Sequence, residues 1–274
     1  MKHAFALLPA LLLAACGAAA PVEEPEARPT PPPSACRAVA FEETRLTHCI
    51  ADPKQHTVRT VLAGENGQPL RSFTELALSR GSDAQPVAFA VNGGMYDNAG
   101  KPIGYYVEDG KRAQELNRAR GLGNFHLLPN GVFMVNGQDW TVLTADAFYD
   151  TVTDRPDYAT QSGPMLVIDG KLHPAIQDDG PSRYTRNGVG VDSQGRAHFV
   201  MSERPVSFGK LARYYRDELG IANALYLDGN GSALWDPARE RMDVTVPLGP
   251  LIVVEKRATS AAGTEAGEPE DGPA

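Results

Sequence analysis

Short apolar runs bounded by Gly, Pro, Asn and Asp recur along residues 36–257: RLTHCIA, TVRTVLA, PVAFAVN, GVFMVN, WTVLT, PMLVIDG, AHFVM, ALYLD and LIVVEK. Their length and their β-branched and aromatic content predict strands. Asn136-Gly137, between GVFMVN and WTVLT, predicts a hairpin and favours antiparallel pairing over a doubly wound parallel sheet. Helical spacing is rarer. Ser72 and Glu75 have the spacing of a capping box before Leu76 and Ala77, with a stop at Gly81. Phe208, Leu211, Ala212, Tyr215 and Leu219 follow the helical period after Ser207, and Gly220 supplies the C-terminal stop. The fold class predicted is α+β: a single domain on a mostly antiparallel or mixed β-sheet core with a few packed helices. No fixed-period repeat and no second helix-rich half argue for more than one domain.

The two ends depart from this pattern. Residues 1–20, MKHAFALLPALLLAACGAAA, have a basic start, an apolar run too short to span a bilayer comfortably, and small residues before a cysteine. Leu13-Ala14-Ala15-Cys16 resembles the lipobox of bacterial lipoproteins, which implies a signal peptide over 1–15 and lipidation of Cys16; an ordinary signal cut near Ala20 is the alternative. Gly17 after the cysteine favours, by the same resemblance, the outer membrane, so the expected location is periplasmic and lipid-anchored. Residues 16–35 are rich in Pro, Ala and Glu and read as an extended tether, while 258–274 read as a disordered acidic tail. Residues 36–257 remain as the domain.

The chain has 274 residues, 42% hydrophobic, enough for one sizeable core. Its net charge of -8, with basic residues scattered and no basic stripe, argues against nucleic acid as a partner. Beyond Cys16 there are two cysteines, Cys36 and Cys49. In an oxidising compartment a disulfide is the economical reading, because no His or Cys follows at metal-ligand spacing.

Four apolar runs end in clustered small polar residues: VNGGMYDN at 91–98, QSGPMLV at 161–167, SRYTRNGVGV at 182–191 and LDGNGS at 227–232. Each alone is best read as a turn. Four together suggest a site, since strand-end loops let backbone approach a ligand and glycine removes the Cβ that would block it.

These stretches, with GYYVEDGK and GNFHLLPNGVF, resemble in order the phosphodiester glycosidase family, the domain of the uncovering enzyme that removes N-acetylglucosamine from a sugar phosphodiester, and most closely its short bacterial branch. The resemblance covers roughly residues 87–254. It implies hydrolysis of the bond between an anomeric carbon and a phosphate, acting on a sugar phosphodiester or envelope glycan, with the membrane reached only through the lipid anchor. Such chemistry asks for a carboxylate at the anomeric centre and for cationic or amide donors at the phosphate. Phosphate is already a competent leaving group, which relaxes the demand for a strong general acid.

Asp228, ending a strand in a glycine-lined turn, is the first candidate for the catalytic carboxylate; Glu203 in MSERP is the second, with Glu108 behind it. VEDGK around Glu108 reads equally well as an exposed hairpin turn. Arg183 and Arg186 are candidate phosphate ligands, Arg186 ranking first because TRNGVG is the family-like stretch. Asn92, Gly93, Gly94, Gln161, Ser162, Gly163, Gly229, Asn230 and Ser232 supply amides, hydroxyls or close backbone, and His126 could donate to phosphate or serve the core. His48, His56, His173 and His198 form no metal set by spacing, and QSGP lacks the glycine before serine of a nucleophile elbow.

No cofactor is required by this chemistry. Asp228, Asn230 and Ser232 match the first ligand spacings of a calcium loop, but Arg239 occupies the place of its bidentate Glu, which excludes an EF-hand and leaves an irregular calcium site open. The family often has DGGGS where this chain has DGNGS, and Asn tolerates the left-handed turn better than other non-glycines. That departure keeps two alternatives in view: a non-catalytic envelope lipoprotein that binds glycan or a protein partner, and a hydrolase of ordinary glycosides needing two close carboxylates.

Overall fold

Each apolar run named above forms a strand, and most of them bury both faces. In the computed structural model, which describes residues 33–228, 231–244 and 246–258, seventeen strands fall into three sheets. Cys16, Gly229, Asn230, the signal and nearly all of the tether and tail lie outside the described residues.

The largest sheet orders its strands as Cys36–Phe41, Thr44–Ala51, Ala197–Ser202, Asn187–Val191, Ala224–Tyr226, Met165–Ile168 and Lys171–Leu172. The second runs Arg241–Met242, Leu234–Asp236, Val87–Asn92, Leu251–Lys256 and His56–Val61. The third runs Lys111–Gln114, Tyr106–Glu108, Tyr158–Ser162, Gly131–Asn136 and Asp139–Thr144. Every strand pairing described is antiparallel.

One core joins the three sheets: Phe199 and Leu225 of the first meet Phe89 and Ile252 of the second and Phe133 and Val142 of the third. The outer face of each sheet is covered by its own helix. Helix Phe208–Arg213, continued through a wider turn at Tyr214–Glu218, packs Leu211, Ala212 and Tyr215 on Val200 and Tyr226. Helix Phe73–Ser79 puts Phe73 and Leu76 on Ala90, Leu251 and Val253. Helix Ala145–Thr151 puts Phe148 on Val132 and Ala159. Alternate residues of one strand thus serve different cores, as Phe89 and Val91 do on one face and Ala90 on the other. Runs with no exposed face cannot alternate with polar residues, which is why VAFAV and LIVV read as continuous apolar stretches.

Ser72, Thr144 and Ser207 cap the three helices, their hydroxyls accepting from the amides of Glu75, Ala147 and Lys210. The Glu75 carboxylate turns back to the amide of Arg71, one residue earlier than a capping box places it. Helix Ala145–Thr151 and several strands were not legible in the sequence. Asn187–Val191, the glycine-punctuated stretch after Arg186, is a strand with glycine at 188 and 190; a Cβ at 188 would stand 2.8 Å from the carbonyl oxygen of Leu225, so the neighbouring strand needs the glycine. The hairpin after GVFMVN turns at Gly137-Gln138, one residue later than expected, with Asn136 still paired to Asp139.

Cys36 and Cys49 face each other across the first two strands and are disulfide-bonded, as expected. The described residues form one compact unit.

Candidate active site

The four small-residue turns meet where strands of all three sheets end. Asn92, the last residue of its strand, is 1% exposed and makes the central connection. Its Nδ2 donates to the backbone oxygen of Asp228 at 2.6 Å, and its Oδ1 accepts from Asn187 Nδ2 at 2.8 Å and from the amide of Ala233 at 3.0 Å. One amide side chain therefore pins both ends of the loop that holds Gly229 and Asn230. The Asp228 amide donates to the Gly93 carbonyl at 3.1 Å, and the Gly93 amide to the Pro250 carbonyl at 2.6 Å. Gly94 donates to Thr160 Oγ1; a Cβ there would stand 2.2 Å from the Gln161 carbonyl oxygen, so this approach is open only to glycine. The Leu227 amide donates to the Asn187 carbonyl, and Ser232 Oγ donates to the Thr185 carbonyl with Asn187 Oδ1 at 3.2 Å. The hydroxyl of Ser232 is thereby held by the loop before Asn187.

Asp228 is 8% exposed, and its charge is felt by two tyrosines. Burial first, then the Asp228 charge, pushes the Tyr226 hydroxyl up to about 12, with Arg186 opposing. The Tyr96 hydroxyl is raised for the same two reasons and donates to the Pro247 carbonyl at 2.6 Å.

Arg186 is fully buried. Its Nε donates to the Val206 carbonyl at 2.9 Å and its Nη2 to the carbonyl and hydroxyl of Ser182 at 3.1 and 3.0 Å. The guanidinium carbon lies 3.5 Å from the Phe208 ring centroid, 5.3 Å from that of Tyr226 and 5.5 Å from that of Tyr184. Burial depresses its basicity from the ordinary arginine value. Nη1 has no hydrogen-bond partner among the described residues. Desolvating a guanidinium and leaving one of its nitrogens unused is costly, so this arrangement suits a nitrogen reserved for an anionic ligand.

The other candidates divide by their contacts. Gln161 is committed to the fold: Oε1 accepts from the amides of Tyr105 and Asn117, and Nε2 donates to the Asn117 carbonyl and to Asn130 Oδ1. Ser162 Oγ, beside it, is buried with no partner among the described residues. Gly163 packs against Phe125 and Asn130, where a Cβ would meet Phe125 O at 2.8 Å. His126 is held by the Ala119 carbonyl at 2.8 Å. Arg183 is exposed and pairs with Asp179 at 2.7 Å, a surface contact.

Glu203 Oε1 accepts from Arg241 Nη1 at 2.8 Å and from the Thr47 hydroxyl. Burial works against ionisation, but these two donors outweigh it and the Glu203 pKa falls below the ordinary glutamate value. Arg241 in turn grips Asp243, whose Oδ2 accepts the Leu234 amide at 3.0 Å. Glu203 thus braces the strand that follows the Asp228 loop. Glu108 does sit at a hairpin turn, yet its carboxylate points inward to Tyr106 OH and the Leu62 amide, and burial raises its pKa. Among the described residues no set of three His, Cys, Asp or Glu gathers at metal-binding distance.

Sequence reasoning missed Asn187 as the partner of Asn92 and missed the aromatic walls of Arg186. It also missed a buried chain away from this site: His198 Nε2 with Asp192 Oδ2 at 2.9 Å, His48 Nε2 with His198 Nδ1 at 2.8 Å, and Tyr214 OH with His48 Nδ1 at 3.3 Å. Strand register brings these residues together, and spacing carries no trace of it.

Three antiparallel sheets thus bring a carboxylate and a buried arginine to converging glycine-rich turns. The chain belongs to the phosphodiester glycosidase family, which it matches over residues 85–237. It is 35% identical over 206 residues, covering 75% of this chain and 80% of its relative, to the uncharacterized protein YigE of Escherichia coli strain K12. Its fold is similar to the zebrafish N-acetylglucosamine-1-phosphodiester alpha-N-acetylglucosaminidase catalytic domain auto-inhibited by pro-peptide, with a TM-score of 0.56 and 14% identity over 81% of this chain and 82% of that one. A hypothetical protein from Synechocystis shares the fold with a TM-score of 0.52 and 15% identity, over 81% of this chain and 61% of that one.

Proposed function

We propose that this protein hydrolyses a sugar-1-phosphodiester in the cell envelope, cleaving the bond between the anomeric carbon and the phosphate oxygen. The observation that carries the reading is Arg186: a fully buried guanidinium with an unpartnered nitrogen, one tyrosine away from Asp228. In this reading Nη1 holds a phosphate oxygen, and the Asp228 carboxylate stabilises or attacks the anomeric carbon as positive charge develops there. Water supplies hydroxide to the sugar carbon and a proton to the departing phosphate, giving free sugar and a phosphomonoester. Backbone of Gly93 and Gly94 lines the approach, and Glu203 acts by bracing the loop through Arg241.

Sugar release from UDP-N-acetylglucosamine and other sugar-1-phosphodiesters, followed by NMR with and without EDTA, tests the reading. Release lost in Asp228→Asn supports it, and EDTA sensitivity would add a metal. Binding without release from any diester would make the protein a binding lipoprotein instead. Membrane attachment through lipidated Cys16, proposed from Leu13 to Gly17, is tested by labelling with radioactive palmitate and its loss in Cys16→Ser.

A further inference from the structure

Two residues that hold the Arg186 guanidinium also wall a separate cavity. Ser182, which accepts from Nη2 through its carbonyl and hydroxyl, and Phe208, whose ring lies under the guanidinium carbon, both line a space of about 210 Å³ with Leu127, Ala175, Ile176 and Pro181. Gln177 and Gly180 complete it, so its described lining carries no charge. The Arg186 guanidinium lies against Phe208, which walls this space, and against Tyr226, which feels the Asp228 charge, so the arginine touches a residue on each side.

The walls are fixed before any ligand arrives. Gly209 lets residues 177–178 lie directly on the helix start: a Cβ there would stand 1.9 Å from the Asp178 carbonyl oxygen. Arg213 then ties Asp178, at 2.8 Å, to Glu42, at 2.7 Å. Phe208 is locked edge-on against Tyr226, with centroids 4.7 Å apart. A preformed cavity favours a ligand that needs little ordering of its walls.

We propose that this cavity receives a compact apolar group esterified to the phosphate that Arg186 holds, so that the protein selects diesters by the substituent opposite the sugar. The inference rests on the reading of Arg186 as the phosphate ligand. The lining dictates the chemical class: a charged or polyhydroxylated group would give up its hydration for the Gln177 amide and the Ser182 hydroxyl alone, while an apolar ring or branched alkyl group loses nothing and removes its surface from water. Leu127, the neighbour of His126, brings the GNFHLLPNG segment to the site as an apolar wall.

Titration calorimetry on the full chain with inorganic phosphate, methyl phosphate, glycerol 3-phosphate and phenyl phosphate tests the proposal without any turnover. Phenyl phosphate is expected to bind about tenfold or more tightly than methyl or glycerol phosphate, from burial of the ring. Ala175→Trp, at an exposed loop position that tolerates the change, fills the cavity and brings the phenyl-to-methyl ratio close to one. Arg186→Gln weakens all four ligands together. Equal affinity for phenyl and methyl phosphate, a preference that survives Ala175→Trp, or no binding by any of the four overturns it. Sugar release is measured separately: a phenyl preference in a protein that turns over no diester keeps the cavity and removes the hydrolase, and turnover with no such preference does the reverse.

Discussion

Asn92 Nδ2 donates to the backbone oxygen of Asp228 at 2.6 Å, joining the last residue of a core strand to the backbone of the residue that carries the candidate catalytic carboxylate. The same side chain accepts from Asn187 and from Ala233, so three buried polar groups depend on it. Asn92→Ala should therefore cost about 2–4 kcal/mol, more than a single hydrogen bond returns, because partners are left unsatisfied in a dry site. Urea denaturation measures this; a loss below about 1 kcal/mol would mean that the site relaxes around the gap.

The two candidate carboxylates should separate on mutation. Asp228→Asn is expected to lower kcat at least about a thousandfold with a folded protein, as for an interaction made at the reacting centre. Glu203→Gln can still accept from Thr47 but loses the charge facing Arg241, so a drop of about tenfold or less, with reduced stability, is expected. Equal losses would assign Glu203 to the chemistry.

Arg186→Lys keeps the charge and loses the fork. Lysine cannot serve Val206, Ser182 and a phosphate oxygen together, so KM for a diester should rise about tenfold or more while kcat changes less. Steady-state kinetics on the two proteins decides it, and an unchanged KM would remove Arg186 from substrate binding.

The buried histidines make stability depend on acid. With both rings neutral the protons order themselves: Tyr214 donates to His48 Nδ1, His48 Nε2 to His198 Nδ1, and His198 Nε2 to Asp192. Burial first, then the neighbouring His198 and Arg37, lowers His48 to about 3. The unfolded chain takes up the proton near pH 6.5, while the folded chain refuses it until about pH 3. The stabilisation is full above about pH 6.5 and is lost as pH falls toward 3, by about 2–3 kcal/mol at about pH 4.5. His48→Gln, which can donate and accept at the same places, should flatten the dependence of urea midpoint on pH in that window; an unchanged slope would contradict it. Asp192 titrates lower: the His198 and Arg196 hydrogen bonds outweigh burial and hold it at about 2, so its share is lost from about pH 4 downward.

Reduction of Cys36–Cys49 should destabilise the fold by roughly 3 kcal/mol on the chain-entropy model for its sequence separation of 13. Paired denaturation curves with and without reductant give the number. A much smaller loss would mean that strand pairing alone closes this loop.

The sequence by itself determined the elements whose signals are local. Nine apolar runs became strands, Ser72 and Ser207 became caps, and Gly220 stopped its helix in a left-handed conformation, because length, side-chain shape and backbone freedom act within a few residues. It also marked the turns that became the candidate site, since glycine and asparagine at strand ends answer to local geometry. Only the tertiary structure decided what those residues do. Pairing across long stretches of chain set Arg241 beside Glu203, closed an aromatic box on Arg186 but left Arg183 on the surface, and placed the glycine-punctuated strand Asn187–Val191 in the middle of the largest sheet. These outcomes depend on strand register and on which face of each sheet meets which core, and neither is written in the spacing of residues along the chain.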